Sequence, residues 1–387
     1  MDVTLLNIIK EKAHTLLPEI IALRRTLHMY PELSFEESNT AKLISAKLTE
    51  AGIDHTTGWA GHGIVAHIKG RSEHVIALRG DMDALPIQEE GESIYKSKVT
   101  GVMHACGHDA HTASLLGAAL ILHHIKDRLP HSVRLIFQPG EELLPGGAHL
   151  MIKQGVLSDP EPQFIVGQHV FPSMQVGKVG IKSDLYMASA DEIYITITGA
   201  GGHAAMPQDA ADIILAASQM IISLQQVVSR KNNPAIPTVL SFGKINTTGG
   251  ATNILPSELK IEGTFRTMDE DWRAKAHELI SNIAKSTCTT YGAHCEIKIL
   301  KGYPCVVNEP KLTKKIRQSM ESYLGVENVV DLPIRMTSED FGFYSKVIPA
   351  CFYRVGTGNP AKGITAPVHT PIFDIDEDAL SIGMGLM

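Results

Sequence analysis

Apolar positions near the start of the chain recur at helical spacing and predict two helices within residues 1–50, separated at Pro31. Short apolar runs then predict strands at residues 64–68, 75–78, 133–137 and 164–166, and helical patterns lie between them at 112–125 and about 148–154. Strands that alternate with helices are typical of a mostly parallel sheet covered on both faces. The first half of the chain therefore predicts an α/β fold.

Residues 185–300 follow a different order of elements. Alternating apolar residues at 191–198 predict a strand, and the pattern continues with a helix at about 209–230, strands at 239–245 and 259–267, a helix at about 270–290 and a strand at 295–300. The order β-α-β-β-α-β is the ferredoxin-like pattern. We therefore predict a discontinuous domain formed by residues 1–184 and 301–387, with residues 185–300 as an inserted α+β domain.

Composition limits the classes of partner. The chain of 387 residues has a formal net charge of −7, no Lys/Arg-rich run and 5% aromatic residues, which argues against nucleic acid. No apolar run approaches the ~18 residues that a membrane span needs, and the first residues lack the features of a secretory signal. Five scattered cysteines indicate a reducing compartment. We therefore expect a cytoplasmic protein that binds neither nucleic acid nor a membrane.

The stretch His104–His111, with the sequence HACGHDAH, concentrates the candidate chemistry. It holds three histidines, one cysteine and one aspartate, and it leads into a predicted helix. Thiolate and imidazole together suit zinc or another borderline transition metal. A buried thiol beside a hydrogen-bonded histidine is the alternative interpretation of Cys106 and His108. We predict that this stretch supplies the first ligands of a catalytic metal site.

Further potential ligands follow three of the predicted strands. They are Asp81 and Asp83, Glu141 and Glu142, and His169. Ligands of open α/β sheets bind outside the carboxyl ends of the strands, so these side chains are expected to meet around Cys106 and His108.

Adjacent carboxylates can divide the work of a hydrolytic site, one binding metal and the other transferring protons. We favour Glu142 as ligand and Glu141 as general base, although spacing alone leaves this order open and a solvated loop is the alternative. Asp81 and Asp83 are either ligands or groups that orient a histidine through its second ring nitrogen. A simple turn after a strand is nearly as good an interpretation of Asp81.

Other positions are less informative by themselves. His203 follows a glycine-rich run in the insert that predicts either a close backbone approach or an ordinary loop, His369 lies far along the chain, and His28 is expected to be structural. The sequence contains no HExxH pair, no Walker A loop and no GxSxG elbow. Zincins, P-loop nucleotide hydrolases and serine hydrolases of the elbow type are therefore excluded.

Several motifs occur together and in a characteristic order. They are LHMYPELSFEE, ALRGDMDALPIQE, MHACGHDAHTA, FQPGEE, GQHVFP, GAGGHAAMP, ATNILP with EGTFRT, SEDFGFY and HTPIFDIDEDAL. The chain resembles the M20 metallopeptidases, in particular the amidohydrolase branch with aminoacylase-like, hippurate hydrolase and indole-acetyl-amino-acid hydrolase enzymes. The resemblance implies an α/β catalytic domain with an inserted ferredoxin-like domain that serves as lid and dimer interface.

The resemblance also implies roles for individual residues. It implies a pair of divalent metal ions (Zn, Mn, Co or Ni) held by Cys106, His108, Glu142, His169 and His369. Glu141 matches the catalytic glutamate, Asp83 the aspartate that orients a ligand histidine, and His203 an insert histidine that reaches the active site, often from the partner subunit. Asn253 and Arg266 match insert positions suited to a substrate carboxylate. Gly140 and Ala200 depart from the family pattern, which more often has alanine and lysine there.

These roles imply a reaction. We expect metal-dependent hydrolysis of the amide bond of N-acyl amino acids, with a metal-activated water and with Glu141 as general base and then general acid. The expected partners are a small N-acyl amino acid or short peptide as substrate and a second copy of the chain. A dipeptidase or carboxypeptidase on the same scaffold is the main alternative, and a non-catalytic metal-binding dimer is the other.

Overall fold

A computed structural model of the chain describes residues 3–387. Met1 and Asp2, which the predicted first helix and catalytic domain include, lie outside the described residues. The chain forms two compact units. The first consists of residues up to Tyr186 together with Val307–Pro333 and Asp340–Met387, and the second consists of Met187–Val306 with Ile334–Glu339. The short segment at 334–339, which the sequence assigns to the catalytic domain, thus packs with the insert.

The secondary structure comprises sixteen strands and nine α-helices over residues 3–387. The strands are β1 Asp54–Trp59, β2 Gly63–Ile68, β3 Val75–Asp81, β4 Ser132–Gln138, β5 Ile165–Gln175, β6 Val179–Ile181, β7 Asp184–Met187, β8 Ser189–Thr198, β9 Gly202–His203, β10 Thr238–Thr247, β11 Ile254–Leu255, β12 Glu258–Thr267, β13 His294–Lys301, β14 Val306–Asn308, β15 Val329–Asp331 and β16 Ala350–Gly358. The helices are α1 Val3–Met29, α2 Ser38–Glu50, α3 His108–His124, α4 Gly147–Lys153, α5 Ile213–Gln226, α6 Glu270–Thr290, α7 Pro310–Leu324, α8 Gly342–Ser345 and α9 Ala379–Leu386.

The first unit is built on an eight-stranded sheet with the order β1-β2-β4-β3-β5-β16-β6-β15. Its four central strands, β4, β3, β5 and β16, run parallel to one another, and antiparallel pairs flank them. Every residue of β16 is buried, as expected for a strand covered on both faces. Helix α3 is apolar around most of its circumference for the same reason, because thirteen of its residues are buried. The predicted α/β class is confirmed.

The second unit is an antiparallel sheet with the order β10-β12-β8-β13, with helices α5 and α6 packed on it. Along β8, Ile193, Ile195 and Ile197 are buried and alternate with more exposed residues, which is the period-two pattern of a half-buried strand. Strand order and connections are those of a ferredoxin-like domain, as predicted from the β-α-β-β-α-β order.

One helix in the described residues, Ile213–Lys231, is long and apolar enough to cross a membrane by length and composition. Length and composition alone are weak grounds for a membrane span, since the core helices of soluble proteins share them. Ala217, Met220 and Leu224 of this helix are fully buried in the core of the insert. Packing in the core therefore explains the apolar residues on one side of this helix, while Ile214, Leu215 and Ile222 are exposed.

Two element boundaries differ from the sequence prediction in ways that affect the candidate site. Helix α3 begins at His108 and not at 112, because Gly107 adopts a left-handed conformation (φ +81°) that ends the preceding loop. Strand β5 extends to Gln175, so His169 lies within a strand and does not end one. Its pairing with β3 stops at Gly167, however, so His169 lies beyond the segment over which β3 and β5 pair.

Candidate metal centre and active site

Side chains from three distant parts of the first unit converge on the thiol of Cys106. The Sγ atom lies 3.3 Å from Nε2 of His169 and 3.3 Å from Nε2 of His369. Nε2 of His369 also lies 3.2 Å from Oε1 of Glu142. Sulfur and nitrogen ligands of one tetrahedral zinc ion are about 3.5 Å apart, given the usual bond lengths. The spacing of these donors therefore fits a shared metal ion.

His108 adds a further donor. Its Nδ1 lies 3.1 Å from Oδ1 of Asp83, which leaves Nε2 directed toward the other ligands, 4.0 Å from Oε1 of Glu142. This Nε2 atom is buried and has no hydrogen-bond partner within residues 3–387. A buried polar atom without a partner costs free energy, and coordination to a cation would satisfy it. The donor atoms of Cys106, His108 and His169 all lie within 4.8 Å of one another.

In two of the candidate ligand histidines, His169 and His108, Nδ1 is hydrogen-bonded, so Nε2 is the nitrogen available to a metal. Nδ1 of His169 lies 2.8 Å from the carbonyl oxygen of Val170 and donates to it, so Nε2 carries the lone pair. Asp83 plays the same part for His108, and its Oδ2 accepts the Ser34 hydroxyl at 2.6 Å and the backbone N–H of Glu142 at 2.9 Å. The carboxylate of Asp83 thereby orients two candidate ligands, His108 through its ring and Glu142 through its backbone N–H.

The pKa shifts of Cys106 and His369 indicate a site that favours bound positive charge. Burial, followed by the charge of Glu142, raises the pKa of the Cys106 thiol. Hydrogen bonds with Cys106 and Glu142 raise the pKa of His369 to about 10. The thiol of Cys106 and the ring of His369 therefore both retain protons in one small space, and a bound divalent cation would remove them because a coordinated thiol is deprotonated outright. The residues present fit the metal pair that the resemblance implies.

The backbone at His369 is unusual. Its φ is +64°, a conformation that non-glycine residues rarely adopt. The backbone N–H of His369 donates to the carbonyl of Ala105 at 2.8 Å, so the loop is tied directly to the stretch that carries Cys106. Strained residues of this kind persist where the surrounding structure fixes them, often at functional sites.

The rest of the His104–His111 stretch does not join the donor cluster. His111 uses both ring nitrogens, since Nδ1 lies 2.5 Å from Oδ1 of Asp81 and Nε2 accepts the N–H of Val170 at 2.9 Å. Asp109 is buried in an ion pair with Arg24 (2.8 Å) and against Nδ1 of His28 (2.7 Å). Their hydrogen bonds and ion pairs therefore keep His111 and Asp109 out of the donor cluster.

His104 is fully buried, and neither of its ring nitrogens has a hydrogen-bond partner within residues 3–387. Burial lowers its pKa to about 4, so it is neutral near pH 7. Its ring packs against that of His28, with the centroids 6.4 Å apart. It therefore behaves as a core histidine, and the predicted structural role of His28 is consistent with this shared packing.

Glu141 is buried beside the cluster and is held by the backbone. Its Oε1 accepts the N–H of Asp340 at 3.3 Å. One of its carboxylate oxygens lies within 4.8 Å of donor atoms of His108 and Glu142. A carboxylate in this position can take a proton from a water molecule at the cluster and return it to a leaving group.

Behind Glu141 lies a charged network that no local sequence pattern predicts. The guanidinium of Arg79, which is fully buried, pairs with Asp81 at 2.6 Å and with Asp340 at 2.7 Å. Gln138 donates to both oxygens of Asp340 at 3.0 and 2.8 Å. Burial opposes the charge of Asp81, but Arg79 and the neighbouring histidines hold its pKa well below the usual range. Asp81 is therefore engaged as the partner of Arg79 and His111.

The insert carries the remaining candidate residues, at two separate places. His203 on β9 pairs with Ile254 on β11, and the N–H of Ala204 donates to the carbonyl of the adjacent Asn253. Together they line a cavity of about 550 Å³ at this end of the unit. Arg266 lies near the last residue of β12, where it donates to the Ser338 hydroxyl at 3.0 Å.

The two places are far apart within one insert. Strand β12, which separates them, is ten residues long and therefore spans about 30 Å. His203 and Asn253 lie together, whereas Arg266 lies at the opposite end of the sheet.

The fold agrees with comparisons to known proteins. Residues 77–387 match peptidase family M20/M25/M40. The chain belongs to this family. As a member of family M20, it is a metal-dependent hydrolase that acts on amide bonds.

Relatives within family M20 span nearly the whole chain. An N-acetyl-L-cysteine deacetylase of Bacillus subtilis is 39% identical over 95% of this chain and 86% of its own length. Thermostable carboxypeptidase 1 of Saccharolobus solfataricus is 37% identical over 94% and 92%. Among solved structures, a dinuclear metal-binding peptidase of family M20 from Bacillus subtilis is 35% identical, covers 96% of each chain and superposes with a TM-score of 0.82.

Proposed function

We propose that this protein hydrolyses the amide bond of N-acyl amino acids and that it does so with two divalent metal ions, Zn, Mn, Co or Ni. The observation that carries the proposal is the convergence of five donor side chains beside one further buried carboxylate, Glu141. The donors are Cys106, His108, Glu142, His169 and His369. Such ions, when bound, supply Lewis-acid polarisation of the carbonyl and acidify water.

Glu141 moves the protons in this proposal. Its carboxylate accepts a proton from the attacking water as the oxygen bonds to the carbonyl carbon, and it donates that proton to the leaving amine when the C–N bond breaks. The N–H of Asp340 donates to Oε1 at 3.3 Å and helps to hold this carboxylate beside the donor cluster. The products are a carboxylic acid and a free amino acid.

His203 and Arg266 bind the substrate in this proposal. The N–H of Ala205 donates to Nδ1 of His203 at 3.1 Å, so Nε2 bears the proton and can donate to a developing oxyanion. A donor in that role is worth roughly 3–4 kcal/mol in comparable sites. Arg266 offers a planar fork suited to both oxygens of the substrate carboxylate.

The separation of these residues supports a homodimer as the functional unit. One insert holds His203 and Asn253 at one end of β12 and Arg266 at the other, about 30 Å away. A substrate of amino acid size cannot reach both ends. A second copy that supplies His203 and Asn253 to the site served by Arg266 removes the difficulty.

A relative that deacetylates N-acetyl-L-cysteine supports the N-acyl amino acid class, and a carboxypeptidase relative supports a second candidate, the removal of a carboxyl-terminal residue from a short peptide. Both reactions break an amide bond next to a free carboxylate. The choice between them depends on the group on the acyl side.

The test is release of free amino acid from N-acetyl, N-benzoyl and indole-acetyl amino acids and from dipeptides. The enzyme is loaded separately with Zn, Mn or Co, and Glu141→Gln is the blank. Release from the acyl compounds supports the proposal, and preference for dipeptides moves the assignment to a peptidase. Glu141→Gln should retain the metal content of the parent and lose almost all turnover. Turnover retained by this variant would refute its role as general base.

A further inference from the structure

A carboxylate far away in sequence bonds the backbone beside the general base. Oε1 of Glu37 accepts the N–H of Gly140 at 2.8 Å and the N–H of Phe35 at 3.0 Å. Gly140 immediately precedes Glu141, and Glu37 is fully buried. Burying a carboxylate is unfavourable unless hydrogen bonds compensate for the loss of water. The burial of Glu37 is therefore explained by the two backbone N–H groups that it accepts.

The loop that carries Glu141 is fixed on both sides of this bond. The N–H of Gly147 donates to the carbonyl of Gly140 at 2.9 Å, and the N–H of Glu142 donates to Asp83 at 2.9 Å. Gln138, at the start of the loop, is held by Asp340. Glu37 therefore holds the Pro139–Gly140 peptide, one residue before Glu141, while Gly147 holds the peptide that joins Gly140 to Glu141.

The ring of Phe35 reinforces this contact. Gly140 has a φ of +60°, and a Cβ atom at this position would lie 2.4 Å from the ring of Phe35. Phe35 itself has a positive φ of 66°, a conformation rare for an aromatic residue. The strained turn before Glu37 thus brings both the ring and the carboxylate against the same residue of the catalytic loop.

We propose that Glu37 is a positioning residue for the general base: by accepting the N–H of Gly140, its carboxylate fixes the orientation in which Glu141 meets the reacting atoms. The inference rests on the proposed role of Glu141 and adds a residue that touches neither the metal ligands nor the substrate. Misplacement of a catalytic group by about 1 Å can lower a rate 100-fold, so loss of this bond has a large expected effect on turnover.

Glutamine at position 37 provides a conservative variant. Burial, followed by the charge of Asp83, raises the pKa of Glu37 to about 7, so its charge is not strongly favoured near neutrality. The amide oxygen of glutamine has the reach of Oε1 and can accept both N–H groups. Alanine removes the acceptor altogether. Glu36 is the matched control, because it is the neighbouring glutamate and its side chain is exposed.

The experiment compares the parent with Glu37→Ala, Glu37→Gln and Glu36→Ala, all loaded with the same metal ion. Hydrogen–deuterium exchange is followed in peptides that cover residues 138–143 and, as a reference, strand β4. We expect exchange at Gly140 to be at least tenfold faster in Glu37→Ala, with β4 unchanged, and parent-like exchange in the other two. We also expect kcat to fall at least tenfold in Glu37→Ala, with KM and metal content within about twofold of the parent.

Exchange and kcat in Glu37→Ala that match Glu36→Ala would overturn the inference, as would a Glu37→Gln variant that is as defective as Glu37→Ala. If Glu37→Ala does not fold, Glu37→Asp replaces it with the same expected changes, because aspartate keeps the charge but is one methylene shorter. A parent without turnover on any substrate overturns the proposed function and the catalytic consequence with it. Exchange at Gly140 then still decides whether Glu37 holds this peptide.

Discussion

Nδ1 of His108 lies 3.1 Å from Oδ1 of Asp83, and both side chains are buried. The carboxylate fixes the tautomer and the ring orientation of the histidine, so that Nε2 faces the thiol of Cys106 and the other donors. Burial would raise the pKa of Asp83, but the hydrogen bond from His108 and further bonds outweigh it and lower the pKa. Asp83 is therefore ionised near neutral pH and can orient its partner there.

Removal of this carboxylate should weaken metal binding. Asp83→Ala is expected to lower metal affinity by about 10- to 100-fold, because His108 loses its orienting partner and the backbone N–H of Glu142 loses its acceptor. Competition with a chelator, read by elemental analysis, measures the change. Ser34→Ala is the matched control, since it removes only the 2.6 Å bond to Oδ2. Equal affinities for Asp83→Ala and Ser34→Ala would contradict this account of the site.

Alanine at position 140 should destabilise the catalytic loop. The new Cβ would lie 2.4 Å from the ring of Phe35, and overpacking of this kind typically costs about 1–3 kcal/mol of unfolding free energy. Gly52→Ala is the control, because Gly52 also has a positive φ (+68°) but has open space where its Cβ would stand. Denaturant unfolding measures both.

A second substitution should relieve the clash that Gly140→Ala creates. Phe35→Ala combined with Gly140→Ala removes the ring that the new Cβ would meet, so the double variant should lose less stability than the sum of the two single variants. Additive losses would show that the ring does not cause the strain.

A buried ion pair should make the stability of the insert depend on pH. Nε of Arg273 donates to Asp191 at 2.9 Å, and both side chains are fully buried. Burial would raise the pKa of Asp191, but hydrogen bonds from His277 and Arg273 outweigh it and lower the pKa. The resulting stability is fully present above the unfolded-state pKa of about 3.9 and is lost as the pH falls through the lower folded-state value.

Arg273→Met should therefore cost about 3–5 kcal/mol near pH 7, because it leaves Asp191 charged, buried and less compensated. Lys244→Met, at an ion pair whose side chains are 58% and 40% exposed, should cost at most about 1 kcal/mol. Thermal unfolding from pH 7 to pH 3 measures both. The deficit of Arg273→Met should shrink once the pH falls below about 4; a deficit that stays constant would show that the ion pair is not its source.

The proposed dimer predicts complementation between inactive variants. His203→Ala and Arg266→Ala should each lower kcat/KM by at least tenfold as homodimers. When equal amounts are co-folded, half of the dimers pair one chain of each kind, and one of the two sites in each such dimer has both residues intact. The mixture should therefore recover about a quarter of the parent activity. No recovery in a sample shown to contain mixed dimers would place both residues in one chain's site.

The sequence predicted much of the fold, because periodicity is a local property. The 3.6-residue pattern of α1 and the alternation along β8 follow from the side chains of those segments alone. The parallel sheet and the ferredoxin-like insert then followed from the order of the elements. Boundaries were less certain: β5 extends past the predicted end because its pairing with β16 continues to Gln175.

The sequence by itself determined which kinds of donor this protein has, thiol, imidazole and paired carboxylates at strand ends, because those identities are written in the motifs. Only the tertiary structure decided which of them are available. His111 is excluded as a ligand by the N–H of Val170, and His108 is oriented by Asp83. Glu37 reaches the backbone beside Glu141 from 103 positions away. Hydrogen-bond partners of this kind are set by how the sheet and its loops pack in three dimensions, and no local pattern encodes them.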